Sequence, residues 1–148
     1  DRVETALMDA PALRPRLVSF RVLSFSAENK LPNVTGNEIG FEMTPVIDLG
    51  LALPGTPDGQ MQGIVNIKIK GHAAKKDAPD ESLADFSASY EARFDYPKEA
   101  DKADVSTRFE RETHQYMLVA QAFPLASSHF RRELMAMGFN LGYLPLGL

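Results

Sequence analysis

Residues 109–148, FERETHQYMLVAQAFPLASSHFRRELMAMGFNLGYLPLGL, decide the fold of this chain. The stretch opens with charged residues, becomes apolar over residues 116–123 and then meets Pro124. Apolar residues recur beyond it at the spacing of an amphipathic helix. The segment therefore predicts a helical end to a chain whose earlier part has the alternation of β-strands.

Pro124 separates this stretch into two predicted helices. Proline has no amide hydrogen and breaks the interior of a helix, so we expect the helices to meet at Phe123 and Pro124. The first is predicted to begin near Val105 or Ser106, with Ser106 as its N-cap. The second ends at Gly138 and has one apolar seam, formed by Ala126, Phe130, Leu134 and Met137.

Four strands are predicted before the helices. Their connections are too short for crossover helices, and PGTPDG at residues 54–59 is an unambiguous turn, so we expect an antiparallel meander. Pro45 indicates an edge position or a bulge. The predicted strands span residues 17–29, 39–53, 60–70 and 83–96.

Alternation assigns faces to these strands. The first strand, residues 17–29, has apolar residues on both sides, and we expect much of both faces to be buried. The third turns Val65, Ile67 and Ile69 inward. The fourth turns one row of residues to one face: Phe86, Ala88, Tyr90, Ala92, Phe94 and Tyr96.

The predicted fold class is thus α+β, a four-stranded antiparallel β-sheet meander followed by two C-terminal helices. Residues 1–16 are expected to be a flexible arm, with a short helix over residues 3–8 as the alternative. Residues 17–148 are expected to be a single domain. Strands one and two carry more apolar surface than two helices can cover, which indicates a second subunit or a client there.

Composition narrows the classes of partner. The net charge is -4 and the densest basic pairs are Lys75-Lys76 and Arg131-Arg132, so we expect no nucleic-acid partner. The aromatic row of the fourth strand favours packing, with RNA stacking as the weaker alternative. The chain has no cysteine, and no apolar run approaches the ~20 residues of a membrane span. We expect a cytoplasmic protein without direct membrane insertion.

Catalytic and metal-binding patterns are absent from the sequence. His72, His114 and His129 fall in three different predicted elements, far from the spacing of a metal site. Ser127 and Ser128 lack a nucleophile elbow or a paired base. We therefore expect no enzyme activity, no catalytic residue, no metal and no cofactor.

Several short motifs, in this order of elements, resemble the SecB family of bacterial export chaperones. The resemblance covers residues 17–148. Its motifs are VLSFSA at residues 22–27, DFSASYEARFDY at 85–96, FPLA at 123–126, RE at 132–133, and MGF at 137–139 followed by LPL at 144–146.

The SecB resemblance implies an ATP-independent holdase that binds unfolded or precursor polypeptides along apolar grooves and supports protein transport and folding. It also implies a homotetramer built as a dimer of dimers. By match of position, it suggests Phe41 and Met43 as client contacts, and Ala88, Tyr90 and Ala92 as subunit contacts. From the apolar sides of strand two and the helices, we add to the client-binding set Ile47, Leu49, Tyr116, Phe123 and Phe130. We add to the oligomer-interface set Phe130, Leu134 and Met137.

One departure from the family concerns the SecA motor. Export-type members dock it with acidic residues, but the matching positions here are Val22, Ser26 and Ser89, with Glu91 offset by two. Docking to a SecA-type motor is therefore left open. The alternative function is a SecB-like adaptor with one dedicated partner, in a toxin–antitoxin or a phage or mobile-element setting.

Overall fold

Four strands of 14 residues and two helices form the described part of the chain, which is residues 14–30, 39–56 and 59–139 of a computed structural model. In chain order they are β1 (Arg16–Asn29), β2 (Ile39–Ala52), β3 (Gln62–Lys75), β4 (Ser82–Asp95), α1 (Lys102–Phe109) and α2 (Glu112–Ala136). The predicted arm lies mostly outside the described residues, and its last residue, Arg16, begins β1. No described helix is long and apolar enough to cross a membrane.

The strands form one sheet in the order β1-β4-β3-β2. Four antiparallel strands followed by two helices confirm the predicted fold class. A simple meander would place β1 beside β2, but β1 lies beside β4. This is a Greek-key order.

The chain divides into two compact units. The first contains Asp1–Arg21, Asp48–Asn66 and Glu91–Phe123, and the second contains Val22–Ile47, Ile67–Tyr90 and Pro124–Leu148. Each strand contributes residues to both units, as does α2. The single-domain organisation stays a prediction.

Alternation along the two inner strands builds the core of each unit. Val65 of the first unit and Ile67 and Ile69 of the second are fully buried, as predicted. In β4, every second residue is buried in the same way: Phe86, Ala88 and Tyr90 in the second unit, and Ala92 and Phe94 in the first.

The two outer strands are far more exposed. Within β1, which is described throughout, no residue reaches full burial, and Val18, Val22 and Leu23 are 41%, 42% and 46% exposed. The expectation that both faces of this strand are buried is wrong for the single chain, because an edge strand has a neighbour on one side only. Pro45 lies on the other edge strand, β2, and this prediction is confirmed.

The helices break at a different place from the predicted one. The helical structure is interrupted at Glu110 and Arg111, and not at Phe123 and Pro124. The helix α2 begins at Glu112 and continues through Pro124. The proline removes one backbone hydrogen bond, to the Ala120 carbonyl, at a cost of ~3 kcal/mol. Burial of each large apolar side chain such as Phe123 contributes about 1.5–3 kcal/mol, which offsets this cost.

Both ends of the helical region have identifiable caps. Asp101 is the N-cap of α1, where its side chain accepts a hydrogen bond from the Asp104 amide at 3.3 Å, so the Ser106 cap was wrong. The stop at Gly138 is confirmed: α2 ends at Ala136, and Gly138 has a φ of 95°. The Phe139 amide then donates to the Leu134 carbonyl at 3.1 Å, which closes the helix end.

Candidate functional site

Five phenylalanines of the second unit form a continuous edge-to-face row, called the phenylalanine row below. Phe25 of β1 meets Phe130 of α2 at 5.9 Å between ring centroids, and Phe130 meets Phe86 of β4 at 6.2 Å. Phe86 also meets Phe139 at 5.4 Å, and Phe139 meets Phe41 of β2 at 5.6 Å. Such pairs contribute about 0.5–1.5 kcal/mol beyond burial.

Exposure changes along the phenylalanine row. Its central members, Phe86, Phe130 and Phe139, are buried. Its two ends, Phe25 and Phe41, are half-buried because they belong to the edge strands of the sheet. The row therefore fixes apolar rings at both strand edges of this unit from a rigid centre.

Half-buried apolar residues alternate along β2. In the second unit these are Phe41, Met43 and Ile47, which share one side of the strand with the half-buried Pro45. In the first unit Leu49 and Leu51 continue the alternation. Partial exposure on an edge strand leaves both side chains and backbone groups accessible to an added extended chain.

Each unit also contains a tyrosine that is hydrogen-bonded to a histidine of α2. Tyr90 belongs to β4, and Tyr96 directly follows it. In the second unit, the Tyr90 hydroxyl and His129 Nδ1 are 3.0 Å apart, and His129 Nε2 lies 3.5 Å from a Glu133 carboxylate oxygen. Burial, together with the charge of Glu133, raises the pKa of Tyr90. The histidine thus gives the buried hydroxyl a hydrogen-bond partner.

The second tyrosine–histidine pair belongs to the first unit. The Tyr96 hydroxyl and His114 Nε2 are 2.6 Å apart. Burial raises the pKa of Tyr96, and it lowers the pKa of His114, with a further lowering from the positive charge of Arg108. Both pairs were missed in the sequence, where each histidine occupies an ordinary helical position.

A polar network of the first unit occupies the opposite face of β4. Glu91 Oε1 accepts from Arg21 Nη2 at 2.8 Å and from Arg93 Nε at 2.9 Å. Arg93 Nη1 donates to Gln62 Oε1 at 3.0 Å, and Gln62 Nε2 donates to Asp95 Oδ1 at 2.7 Å. The hydrogen bond from Arg93, followed by the contributions of Arg21, lowers the pKa of Glu91. Glu91 is therefore committed to two guanidinium partners.

The predicted client-binding positions fall into two classes. On β2, Phe41, Met43, Ile47 and Leu49 are half-buried, and on α2 Tyr116 is 64% exposed. Phe123 and Phe130 are buried in the cores of their own units. A client can reach these two side chains only if the chain rearranges, and the binding role of all seven residues stays a prediction.

Most predicted interface positions are also covered by the chain itself. Ala88, Tyr90, Phe130 and Leu134 are buried within the second unit, and Ala92 is buried within the first. Met137 is half-buried, and its carbonyl accepts a hydrogen bond from the Asn29 side chain at 3.0 Å. The interface role of this set stays a prediction.

Metal-binding side chains do not gather in the part of the chain that the structure describes. Over residues 14–30, 39–56 and 59–139, no group of three or more histidine, aspartate or glutamate side chains is placed to hold an ion. The accessible features of that part are therefore apolar strand edges and polar surface networks.

A solved structure has a similar fold. It is the SecB-like chaperone Rv1957 of Mycobacterium tuberculosis, in complex with a ChAD peptide from the HigA1 antitoxin. The match covers 99% of this chain and 94% of that one, with a TM-score of 0.58 and 16% sequence identity. This chain has a SecB-like fold.

The SecB-like fold is supported by structure alone. No protein-family model matches the sequence, and no curated protein matches it. At 16% identity, residue roles do not transfer from the mycobacterial protein, and the function must be argued from the surface of this chain.

Proposed function

We propose that this protein is an ATP-independent chaperone of the SecB type, which binds unfolded polypeptides and prevents their aggregation. The observation that carries the proposal is the alternating, half-buried apolar side of β2 on an edge of the sheet. An unfolded chain can supply extended backbone and apolar side chains at period two, and both match this edge strand. The proposed activity needs no catalytic residue and no cofactor.

The ends of the phenylalanine row support this proposal. Phe41 is held against Phe139, so an apolar ring stays in place at the strand edge before any client arrives. Pre-organised apolar groups lower the entropy cost of binding.

The mycobacterial protein supports a polypeptide as the ligand class. Its structure contains a peptide from an antitoxin, held by a chain with this fold. By likeness of fold, we propose polypeptide binding for this chain also. We further propose that it acts in the cytoplasm and assembles as a dimer of dimers.

A light-scattering assay tests the holdase proposal. A chemically denatured client is diluted into buffer without ATP, with and without a several-fold excess of this protein. We expect suppression of the scattering. A folded and assembled protein that fails to suppress it, with several unrelated clients, would contradict the proposal.

A second candidate function is an adaptor with one dedicated partner. Glu91, which is two positions from Ser89, is bound by Arg21 and Arg93 and is poorly placed to attract a basic partner. Val22, Ser26 and Ser89 carry no negative charge. A general export role through a SecA-type motor is therefore not part of our proposal.

Binding specificity separates the two candidates. The adaptor predicts submicromolar affinity for one peptide or protein and no effect on the aggregation of unrelated clients. The holdase predicts micromolar affinity for many unfolded chains. Titration of two unrelated unfolded proteins, followed by fluorescence anisotropy, gives opposite results under the two functions.

A further inference from the structure

The backbone groups of β2 in the second unit point alternately toward β3 and away from it. In the described sheet β2 is the last strand, with β3 as its neighbour. A Cβ added to Gly71 of β3 would lie 2.6 Å from the Glu42 carbonyl oxygen, so this carbonyl points toward β3. In an antiparallel pair, the N–H and C=O of one residue point the same way and those of the next residue point the opposite way. Phe41 and Met43 therefore direct their backbone groups away from β3.

Pro45 leads independently to the same assignment. It has no amide hydrogen, yet β2 continues through it from Ile39 to Ala52. A proline within an edge strand is tolerated where its nitrogen faces away from the neighbouring strand. Alternation then places Ile47 with Pro45. The residues that face away from β3, called the outward set below, are Phe41, Met43, Pro45 and Ile47.

The outward set also forms the apolar side of β2. Its members are half-buried, whereas Glu42, Thr44 and Val46 between them are exposed. Backbone direction and side-chain direction both alternate with period two, so the two patterns coincide on this strand. The Phe41 ring is also held by the Phe139 ring at 5.6 Å. The residues that can bond a new strand are therefore the same ones that present apolar side chains.

We propose that a client segment adds to β2 as an antiparallel fifth strand, with its apolar residues opposite the outward set. The proposal rests on the proposed polypeptide-binding function and names the chemistry of the bound segment. Residues that exchange backbone hydrogen bonds in an antiparallel pair project their side chains to the same face. The segment therefore needs unblocked backbone amides at its apolar residues. The residues between them point their amides away from β2 and tolerate proline.

A second copy of this chain fits the edge less well than a client does. Pro45 can accept a hydrogen bond but cannot donate one, so a client strand lacks one bond opposite it. In a symmetric pair of β2 strands each copy contributes its own Pro45, and two bonds are missing. The pair would also bring together two Glu42 carboxylates, and residues 39–47 contain no lysine or arginine to neutralise them. A client sequence can avoid both problems.

Backbone methylation of a peptide tests this arrangement. The parent is a labelled peptide in which leucine alternates with glutamine. One derivative carries N-methyl groups on the central leucine amides, and the other carries the same number on glutamine amides, so the side chains do not change. Fluorescence anisotropy with the full chain measures their affinities. We expect the leucine derivative to bind about tenfold more weakly than the parent, and the glutamine derivative to bind within about twofold of it.

A variant of the protein tests the same arrangement from the other side. Pro45→Val supplies the missing amide hydrogen, and we expect it to tighten binding of the parent peptide about threefold. Thr44→Val is the matched control, because Thr44 is the exposed neighbour and its amide points toward β3. This control should bind the parent peptide as the unaltered protein does. Circular dichroism checks that both variants fold.

The outcomes separate this inference from the proposed function. Equal affinity for all three peptides overturns strand addition and leaves polypeptide binding intact. Weaker binding of the glutamine derivative alone overturns the antiparallel arrangement. If Pro45→Val raises the mass of the assembly without tightening peptide binding, a second copy occupies the edge and the proposal is overturned. If no peptide binds and no client is protected from aggregation, both proposals fail.

Discussion

The Tyr96 hydroxyl and His114 Nε2 are joined by a 2.6 Å hydrogen bond, and the two rings stack with centroids 5.8 Å apart and planes 16° from parallel. Phe109 packs beside the imidazole at 6.1 Å. This enclosure explains why burial lowers the pKa of His114: the charged imidazolium is poorly solvated there.

The first prediction concerns pH. A histidine with a lowered pKa in the fold stays neutral there, whereas in the unfolded chain it takes up a proton below about pH 6.5. Its contribution to stability is therefore present above pH 6.5 and is lost as the pH falls through the lowered pKa of the folded state. We expect the urea midpoint to fall less from pH 7.5 to 5.5 in His114→Gln than in the unaltered protein. An equal fall in both would contradict this role for His114.

The second prediction concerns the Glu91 carboxylate. Glu91→Gln removes the charge that Arg21 and Arg93 share, and we expect it to lower the free energy of unfolding by about 1–2 kcal/mol. Its lowered pKa means that the stabilisation exists above pH ~4.5 and is lost as the pH falls further. Asp48→Asn, at an exposed position of β2, is the control for loss of one charge. Similar unfolding energies for both variants would show that the shared carboxylate contributes little.

The third prediction concerns the phenylalanine row. Phe86 is buried and contacts both Phe130 and Phe139, so Phe86→Ala should cost about 3–5 kcal/mol through lost burial and a cavity. Phe25→Ala removes the same side chain at a half-buried end of the row and should cost clearly less. Chemical unfolding of both variants measures the difference. Equal costs would mean that the ends of the row are as well packed as its centre.

The fourth prediction concerns the two sides of β2 in the second unit. Ile47→Ser removes an apolar side chain from the alternating side, whereas Val46→Ser makes a similar change on the neighbouring residue, which points to the other side. We expect Ile47→Ser to weaken client binding about three- to tenfold, as expected for the loss of ~1 kcal/mol of apolar contact. Val46→Ser should bind clients normally. Equal losses would place the client surface elsewhere or on both sides.

Local sequence patterns predicted the parts of the fold that depend on local rules. Period-two alternation correctly identified Val65, Ile67 and Ile69 as inward, because side chains on a strand alternate whatever its neighbours are. Gly138 was predictable as a helix end because few other residues adopt a φ of 95°. Pro45 on an edge strand follows from its missing amide hydrogen.

Other features depended on partners distant in sequence. Arg21 pairs with Glu91 across 70 residues, and nothing local in β1 specifies β4 over β2 as its neighbour. The helix through Pro124 reflects tertiary burial that overrides a local breaking signal. Ser106 has the right chemistry for an N-cap, but Asp101 caps the helix five residues earlier.

The candidate site was predictable only in its strand part. Alternation identified Phe41 and Met43 as one side of an edge strand, and both are half-buried. An apolar helical run does not show which of its members face the core, so Phe123 was grouped with Tyr116 although only the tyrosine is exposed. A recess lined by Phe41, Lys75 and Pro79 combines residues of β2, of β3 and of the turn after β3, which no single-element pattern shows.

The position of β1 beside β4 also affects the protein while it is being synthesised. Glu91, the partner of Arg21, leaves the ribosome 70 residues after it. At about 5–20 residues per second, the first strand waits roughly 4–14 s with no β4 to pair with. During that interval its exposed apolar side chains resemble those of the unfolded chains that this protein is proposed to hold.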